Sequence, residues 1–426
     1  MENSGALIEE DRYLIWMAGV SWDGIVGTDR HMVAAMVRYA RILWVDPPVS
    51  PLTISVHRDR ADRFFRPMLT RIDDRITRLT PVALPGLTRP GIRATTPALV
   101  RAQIRWTLRR LDIRPFAFVQ TYLADLLGYW GRDVIDALYG TDDYVAGADL
   151  MGVSDRYRRK QELRALARAD VVAVVSPELA KRWTDRGASP VIIPNGCWLV
   201  SDAGQSSPLE GVDLPRPVVG LVGQLSERID LDVLETIAAA GFSLLLVGPL
   251  DRRWGHQRFM ELISRPKVHY AGAVPASAVP SYLAVIDVGI TPYRDTPFNR
   301  ASFPLKTLEY LGAGLPVVSA DLPSARWLRA DLMHAEPTAT ADQVLALARD
   351  NADYVAAIRR IVAGERYLGR VGVSQPGYGR NRTRADRRIA FAARHTWPRR
   401  AETFASAIGL PMPDVQKVGS KGEDLS

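Results

Sequence analysis

The stretch ASFPLKTLEYLGAGLPVVSADLP, residues 301–323, decides how the rest of the chain is read. Phe303 and Pro304 form an extended entry. Residues 305–311 predict a short helix, and Gly312 and Gly314 stop it, because glycine accepts the left-handed backbone that ends a helix. Pro316 prevents continuation, and Val317-Val318-Ser319 reads as a buried strand. A helix N-terminus carries unpaired N–H groups and partial positive charge, so it suits a phosphate. Lys306 adds a full charge there. Glu309, one turn further on, can accept hydrogen bonds from the hydroxyls of a sugar. A loop and helix with both properties point to a nucleotide or nucleotide-sugar site.

Outward from this stretch the same alternation recurs. VVGLVG (218–223) reads as a strand, residues 230–240 as a helix, and FSLLLVG (242–248) as a strand, with KVHYAG and VIDVGITPY following. Nearer the N-terminus, RYLIWMAGVSWDG (12–24) is a strand with a glycine loop, residues 29–40 a helix and RILWVDPP (41–48) a strand. Strand, loop, helix and strand in fewer than about forty residues make a βαβ unit. Residues 51–114 read as basic helices mixed with loops. Strands are expected at 116–122, 171–176 and 190–197, and helices at 154–170 and 177–187. SDAGQSSPLEGVDLPRP (201–217) breaks the pattern and reads as a linker. Two separately wound α/β halves follow from this organisation. Residues 395–409 predict an amphipathic helix, and KVGSKGEDLS a disordered tail.

The chain has 426 residues, more than one ordinary core accommodates. No apolar run approaches the roughly 18 residues of a membrane span, and the acidic, polar opening does not read as a secretory signal. The single cysteine, Cys197, excludes an internal disulfide framework and a cysteine-rich zinc site. A reducing cytoplasm is the simplest setting. The net charge is +8, and it is unevenly spread: residues 51–115 hold 14 arginines against five aspartates, with no Glu or Lys. A solvated arginine-rich surface is the plain reading. Attraction to anionic lipid heads or to an anionic acceptor is the sharper one. Nucleic acid is not expected, since no zinc knuckle, basic zipper or RNA-binding signature accompanies the arginines.

The order VSPELAKRW, IIPNG, linker, GLVGQLSERIDLDVL, LLLVGP, HYAGAVPASAVPSYLAVIDVGITPY and FPLKTLEYLGAGLPVVSA resembles bacterial GT-B-fold glycosyltransferases of the large retaining family that uses nucleotide-sugar donors. WDGIVGTDRHM and TDDYVAGADLMGVS resemble the subgroup near teichuronic-acid-type and other cell-surface polysaccharide transferases. The resemblance covers residues 12–410. It implies an α/β, GT-B chain with two Rossmann-like domains facing a central cleft. Residues 1–200 would bind the acceptor, 201–217 would link, and 218–394 would bind the nucleotide sugar. Residues 395–410 would cross back to the first domain, leaving 411–426 as a tail.

The resemblance also carries roles. Glu309 matches the second glutamate of a Glu-x7-Glu pattern that holds the ribose hydroxyls, and a carboxylate can accept two parallel hydrogen bonds from adjacent hydroxyls. The first glutamate falls at Ala301, which cannot serve, so Asn299 or Arg300 is a candidate substitute for the donor-sugar contact. Lys306 and Arg228 are the expected catalytic cations facing the pyrophosphate. Gly223 would allow close backbone approach, and Gln224 stands where an arginine is common. Phe303 and Leu305 offer backbone amides, Gly248 ends a strand, and the backbone of Val274 would meet the base. Tyr293 reads as packing. On the acceptor side Gly24, Gly27, Arg30 and His31 flank the first turn. Asp142 and Asp143 are the candidate carboxylates, Asp143 with a catalytic role and helix capping as its equal alternative. Their DD pair is not the Asp-x-Asp of metal-binding transferases, so no metal and no cofactor are expected. The expected partners are a nucleotide sugar, a sugar, lipid-linked or small-molecule acceptor, and the inner membrane face. Two rivals stand beside this reading. A sugar-nucleotide epimerase needs carboxylates and histidines around one sugar, and the six histidines here do not cluster. A degenerate, non-catalytic binding or scaffold protein draws support from Ala301 and Gln224.

Overall fold

Short runs of apolar residues covered on both faces favour parallel strands, and both halves of this chain are built that way. The computed structural model describes residues 12–50, 67–86, 89–148, 152–199, 211–251, 254–335, 341–368 and 382–411. The chain divides into two units: Met1–Val175, Leu179–Pro194 and Trp397–Ser426 form the first, and Ser176–Glu178 with Asn195–Thr396 the second. The linker expected at 201–217 lies outside the described residues up to 210, as does the tail from 412 onward.

The first unit runs β1 (Tyr13–Met17), α1 (Thr28–Met36), β2 (Arg41–Val45), β3 (Met68–Arg71), β4 (Ile76–Thr80), α2 (Pro90–Arg110), β5 (Pro115–Gln120), β6 (Ile135–Gly140), α3 (Asp155–Leu166), β7 (Val171–Val174), α4 (Pro177–Thr184) and β8 (Val191–Ile192). The sheet order is β3-β4-β2-β1-β5-β6-β7-β8. Every pair is parallel except β3 with β4. Ile15, Met17, Leu43, Val45, Phe118 and Trp183 fill the core. The β3–β4 hairpin corrects the reading of residues 51–114 as helices and loops. Its inward alternation is masked because Arg78, a charged residue, is 5% exposed and paired inside. The strand expected at 190–197 shrinks to Val191–Ile192.

The second unit runs β9 (Val218–Val222), α5 (Leu231–Ala239), β10 (Ser243–Val247), α6 (His256–Ile263), β11 (Val268–Gly272), α7 (Val279–Val285), β12 (Val288–Thr291), α8 (Pro297–Ala301), α9 (Leu305–Gly312), β13 (Val317–Ala320), α10 (Pro323–Ala335), β14 (Leu345–Ala348), α11 (Asn351–Leu368) and α12 (Arg382–Ala393). All pairs are parallel in the order β11-β10-β9-β12-β13-β14. Counted from β9, that is the doubly wound order 3-2-1-4-5-6. The last helix, α13 (Trp397–Ala407), returns to the first unit, where Phe404 packs 5.7 Å from Trp16 and 5.5 Å from Tyr139, ring centre to ring centre. Among the described residues no helix is long and apolar enough to cross a membrane.

In open sheets of this kind ligands bind outside the carboxyl ends of the strands, where the order reverses. Those points are the exits of β1, between β2 and β5, and of β9, between β10 and β12.

Candidate functional site

The exits of β9 and β10 make the floor of the candidate site. The Gly223 N–H donates to the Val247 carbonyl at 2.8 Å, and the Leu225 N–H to the Pro249 carbonyl at 2.9 Å. Gly248 has φ +135°, and a Cβ there would stand 2.0 Å from the Gly223 carbonyl oxygen. Only glycine permits that crossing. Gly223 has φ +149°, and the Lys306 stem lies over it, 3.2 Å from where a Cβ would be.

Helix α9 supplies the wall. Thr307, Leu308, Tyr310 and Leu311 are buried, which fixes one face on the sheet. The Tyr310 hydroxyl accepts the Val222 N–H at 2.7 Å, and burial drives its phenol far above the ordinary range. Lys306 and Glu309 are left on the other edge, one turn apart, with Nζ 2.7 Å from Oε2 and each side chain 25% exposed. Burial opposes the Lys306 charge, but Glu309, with a smaller effect from Tyr293, outweighs it and raises the ammonium pKa. No side chain caps the N-terminus of α9, where Pro304 is the N-cap. Its first amides therefore point outward without a capping partner.

Three side chains fix the entry to that helix, and the sequence reading missed all three. Ser176 Oγ donates to the Ala301 carbonyl at 2.5 Å, Ser324 Oγ to the Ser302 carbonyl at 2.5 Å, and Asn195 Nδ2 to the Phe303 carbonyl at 2.6 Å. Residues 301–303 are buried, and three consecutive carbonyls are satisfied by side chains in place of strand partners. The donors come from VVS, PNG and PSAR, segments far apart in sequence, so no local pattern announces them.

Arg228 stands on the loop after β9. Its guanidinium carbon lies 4.8 Å from the Phe298 ring centre and 5.3 Å from that of Tyr293. Nε donates to Asn299 Oδ1 at 3.0 Å, while Asn299 Nδ2 donates to the Arg228 and Arg294 carbonyls. The terminal nitrogens of Arg228 have no partner among the described residues. Asn299, 2% exposed, is thus an anchor for Arg228 and not the donor-sugar ligand considered as a replacement at Ala301. Arg300 is likewise occupied, pairing with both oxygens of Asp295. Tyr293 faces both cations, over Arg228 and near Lys306. Gln224 is exposed, Leu305 is partly buried in the first turn of α9, and Val274 is partly buried in the loop after β11.

In the first unit the expected acceptor-side residues lie around the exits of β1 and β6. Gly24 closes a turn on the Ser21 carbonyl, and Gly27 is the N-cap of α1 with open space at its Cα. Arg30 lies over the Trp22 ring at 3.9 Å and donates to the Trp22 carbonyl. His31 stacks on Trp397 at 5.3 Å. Asp142 is partly buried and its carbonyl accepts the Tyr144 N–H. Asp143 is different: Oδ1 accepts the Val145 and Ala146 N–H groups at 3.0 and 2.7 Å, and Oδ2 pairs with Arg182. That is the turn-capping alternative, and it leaves little of the carboxylate for an acceptor hydroxyl. Burial lowers Arg182 to about 10, although Asp143 and Glu162 both pair with it.

Two aspartates not considered from sequence organise this end. Asp46 accepts the Trp22 N–H, Trp44 Nε1, Arg78 Nε and Thr80 Oγ1 at 2.9, 2.8, 2.7 and 2.6 Å. Asp29 accepts Trp16 Nε1 and the Gly19 N–H at 3.1 and 3.0 Å, and burial raises its pKa against those bonds. The acid in the first turn of α1 was visible in GTDRHM, but nothing local shows that it points inward.

Residues 216–363, the part of the chain that carries this cluster, match the family described as Glycosyl transferases group 1. The two doubly wound sheets define the fold as GT-B, and the similarity to group 1 glycosyl transferases falls within the second unit. Among curated proteins the chain is similar to TuaH of Bacillus subtilis (strain 168), a candidate teichuronic acid biosynthesis glycosyltransferase, at 32% identity over 216 residues. That match spans 46% of this chain and about half, 54%, of the relative. Among solved structures it is similar to sucrose-phosphate synthase from Thermosynechococcus elongatus (TM-score 0.64, 17% identity, covering 93% and 98% of the two chains). Anabaena Alr3699/HepE, in complex with UDP and glucose, gives TM-score 0.61 at 14% identity, covering 93% and 99%.

Proposed function

We propose that this chain transfers a sugar from a nucleoside-diphosphate sugar to an acceptor hydroxyl, with retention of anomeric configuration. The observation that carries the reading is the Lys306–Glu309 pair on the uncapped start of α9, seated over Gly223 at the exit of β9. In this reading the diphosphate lies on the first amides of α9, with Lys306 and the free end of Arg228 as its cations. Glu309 exchanges part of its contact with Lys306 for the ribose hydroxyls. The backbone of Val274 meets the base. A HepE structure holding UDP and glucose, and an E. coli structure bound with UDP-2-fluoro glucose, support the donor class.

The chemistry asked of the protein is electrostatic. As the bond from the sugar carbon to the diphosphate breaks, its electron pair and charge move to the phosphate oxygen. The acceptor oxygen bonds to that carbon from the same face, and its proton passes to the departing phosphate. Fixed cations and helix amides stabilise that charge without reorganising, and we propose that they do so without a metal. The first unit binds the acceptor. Leu99 and Trp106 are 36% and 44% exposed on the arginine-rich α2, which supports peripheral contact with an anionic membrane from the cytoplasmic side.

Calorimetric titration with UDP, GDP and dTDP tests the donor site, and a mass-spectrometric screen of sugar donors tests transfer. Binding of one diphosphate, followed by turnover of its sugar, is expected. A second reading, a non-catalytic binding protein, is favoured by the buried methyl of Ala301 and the occupied Asn299 and Arg300. It gains if a diphosphate binds and no donor is transferred or hydrolysed.

A further inference from the structure

We propose that a pocket of about 260 Å³ between α2 and α3 binds the phosphate ester of a second ligand. That this ligand is the acceptor rests on the transferase reading; that the pocket takes a phosphate does not.

The pocket is lined by Arg93 of α2, by Tyr157, Lys160, Gln161 and Arg164 of α3, and by Asp125. Arg93 lies in the first turns of α2, after β4, and Asp125 follows β5. Both segments leave the carboxyl ends of their strands, the end at which such folds bind ligands. Its charge is unbalanced. Asp125 is paired with Arg168. Among the described residues Arg93, Lys160 and Arg164 have no carboxylate partner. No acidic residue occurs anywhere in the α2 sequence, PGIRATTPALVRAQIRWTLRR.

The wall is also ordered. The Arg93 guanidinium carbon sits 3.5 Å from the centre of the Tyr157 ring. Gln161 Nε2 donates to the Tyr157 hydroxyl at 3.0 Å, and Gln161 Oε1 accepts from Arg158 Nη1 at 3.0 Å. Arg158 in turn reaches the Leu123 carbonyl at 3.1 Å. Burial, and to a smaller extent the like charge of Arg93, lower the Arg158 pKa. Like charges held this close without an acid are relieved by an anion. A phosphate ester carries more charge than a carboxylate, and a guanidinium matches it with two parallel hydrogen bonds. The volume is below the roughly 300–1,000 Å³ of drug-sized sites, so a phosphate with at most one sugar ring fits. The same chemistry is available from a free sugar phosphate or from the headgroup of a phospholipid.

The test titrates the full chain with glucose 6-phosphate, inorganic pyrophosphate and glucose, and floats it with phosphatidylglycerol and phosphatidylcholine vesicles. Lys160→Gln/Arg164→Gln and Arg93→Gln alter the pocket. Arg109→Gln/Arg156→Gln removes as much charge outside it, and UDP titration reports the second unit. The pocket variants are expected to weaken a phosphate ligand about tenfold, as loss of a charge-assisted contact does. The control variant and UDP binding should be unchanged. Loss confined to the soluble ligands names a sugar phosphate as the source, and loss confined to anionic vesicles names a lipid headgroup; either supports the pocket. The proposal is overturned if control and pocket variants lose binding equally, or if neither phosphate source binds the wild type. Failure of UDP alone would remove the transferase reading and leave the pocket standing.

Discussion

The exits of β1 and β9 occupy corresponding places, where the strand order of each sheet reverses, yet they treat their polar groups in opposite ways. After β1 the side chains are saturated by each other. Asp46 takes four hydrogen bonds and Asp29 two, so the loop is latched to β2 and to the start of α1. After β9 the backbone is latched instead, through Gly223, Gly248 and three donated carbonyl bonds at 301–303. Lys306 and Glu309, paired with each other and a quarter exposed, and the outer end of Arg228 stand beside amides without a side-chain cap. Rigid backbone with uncapped amides and a cation at hand is what an anion needs, because little must be ordered when it arrives.

The largest effects should come from breaking the latches. Gly248→Val forces a side chain into the Gly223 carbonyl at a left-handed backbone. It should cost above about 4 kcal/mol, combining overpacking with strain, read as a loss of the second unit's transition in urea. Asp46→Ala leaves the buried Arg78 with the exposed Asp23 as its carboxylate and the buried Trp44 and Thr80 donors without their acceptor, and should cost about 3 kcal/mol. The same denaturation checks it, with UDP binding retained. If Asp46→Ala abolished UDP binding without loss of stability, the contrast between the two exits would be misdrawn.

Much of the second unit was legible because its strands are continuous apolar runs and its helix ends carry Pro, Gly or Asp signals. Helix α9 was read at 305–311 and is found at Leu305–Gly312. Its charged edge was legible too, since Lys306 and Glu309 are the polar residues among buried neighbours. The β3–β4 hairpin was hidden because Arg78 occupies an inward position that an apolar residue normally marks. The anchors Ser176, Asn195 and Ser324 were hidden because they act through chain-distant carbonyls. Asp143 could be read two ways, as N-cap or as acceptor carboxylate, and the bonds it accepts from the Val145 and Ala146 N–H groups, with its pairing to Arg182, separate them.

Intermediate effects sharpen the difference between anchor and ligand. Asn195→Ala leaves the Phe303 carbonyl buried and unpaired, which should cost about 2 kcal/mol of stability and weaken UDP through a misplaced α9. Glu309→Gln should leave stability within about 0.5 kcal/mol and weaken UDP about tenfold or more, near 1.4 kcal/mol. Calorimetry beside urea denaturation distinguishes the two patterns.

A pH-dependent effect lies at the far, amino end of the first sheet. Among the described residues the Asp136 carboxyl accepts only the Gly128 N–H, and burial pushes it to about 6 from an ordinary 3.8. The folded state therefore holds this proton more tightly than the unfolded one. The stability it contributes is complete below its ordinary value and is lost as pH rises through about 6. Between pH 4 and 7 the loss should be roughly 1–2 kcal/mol. Asp136→Asn should flatten that part of the pH profile, measured by urea denaturation.

Amide hydrogen exchange with and without UDP, GDP and dTDP reports on the start of α9 itself. One diphosphate should slow exchange in peptides covering residues 303–309 and 223–228 together, with residues 19–29 unchanged. A bound diphosphate that leaves 303–309 exchanging as before, or that protects the β1 exit in its place, would contradict a diphosphate site on α9.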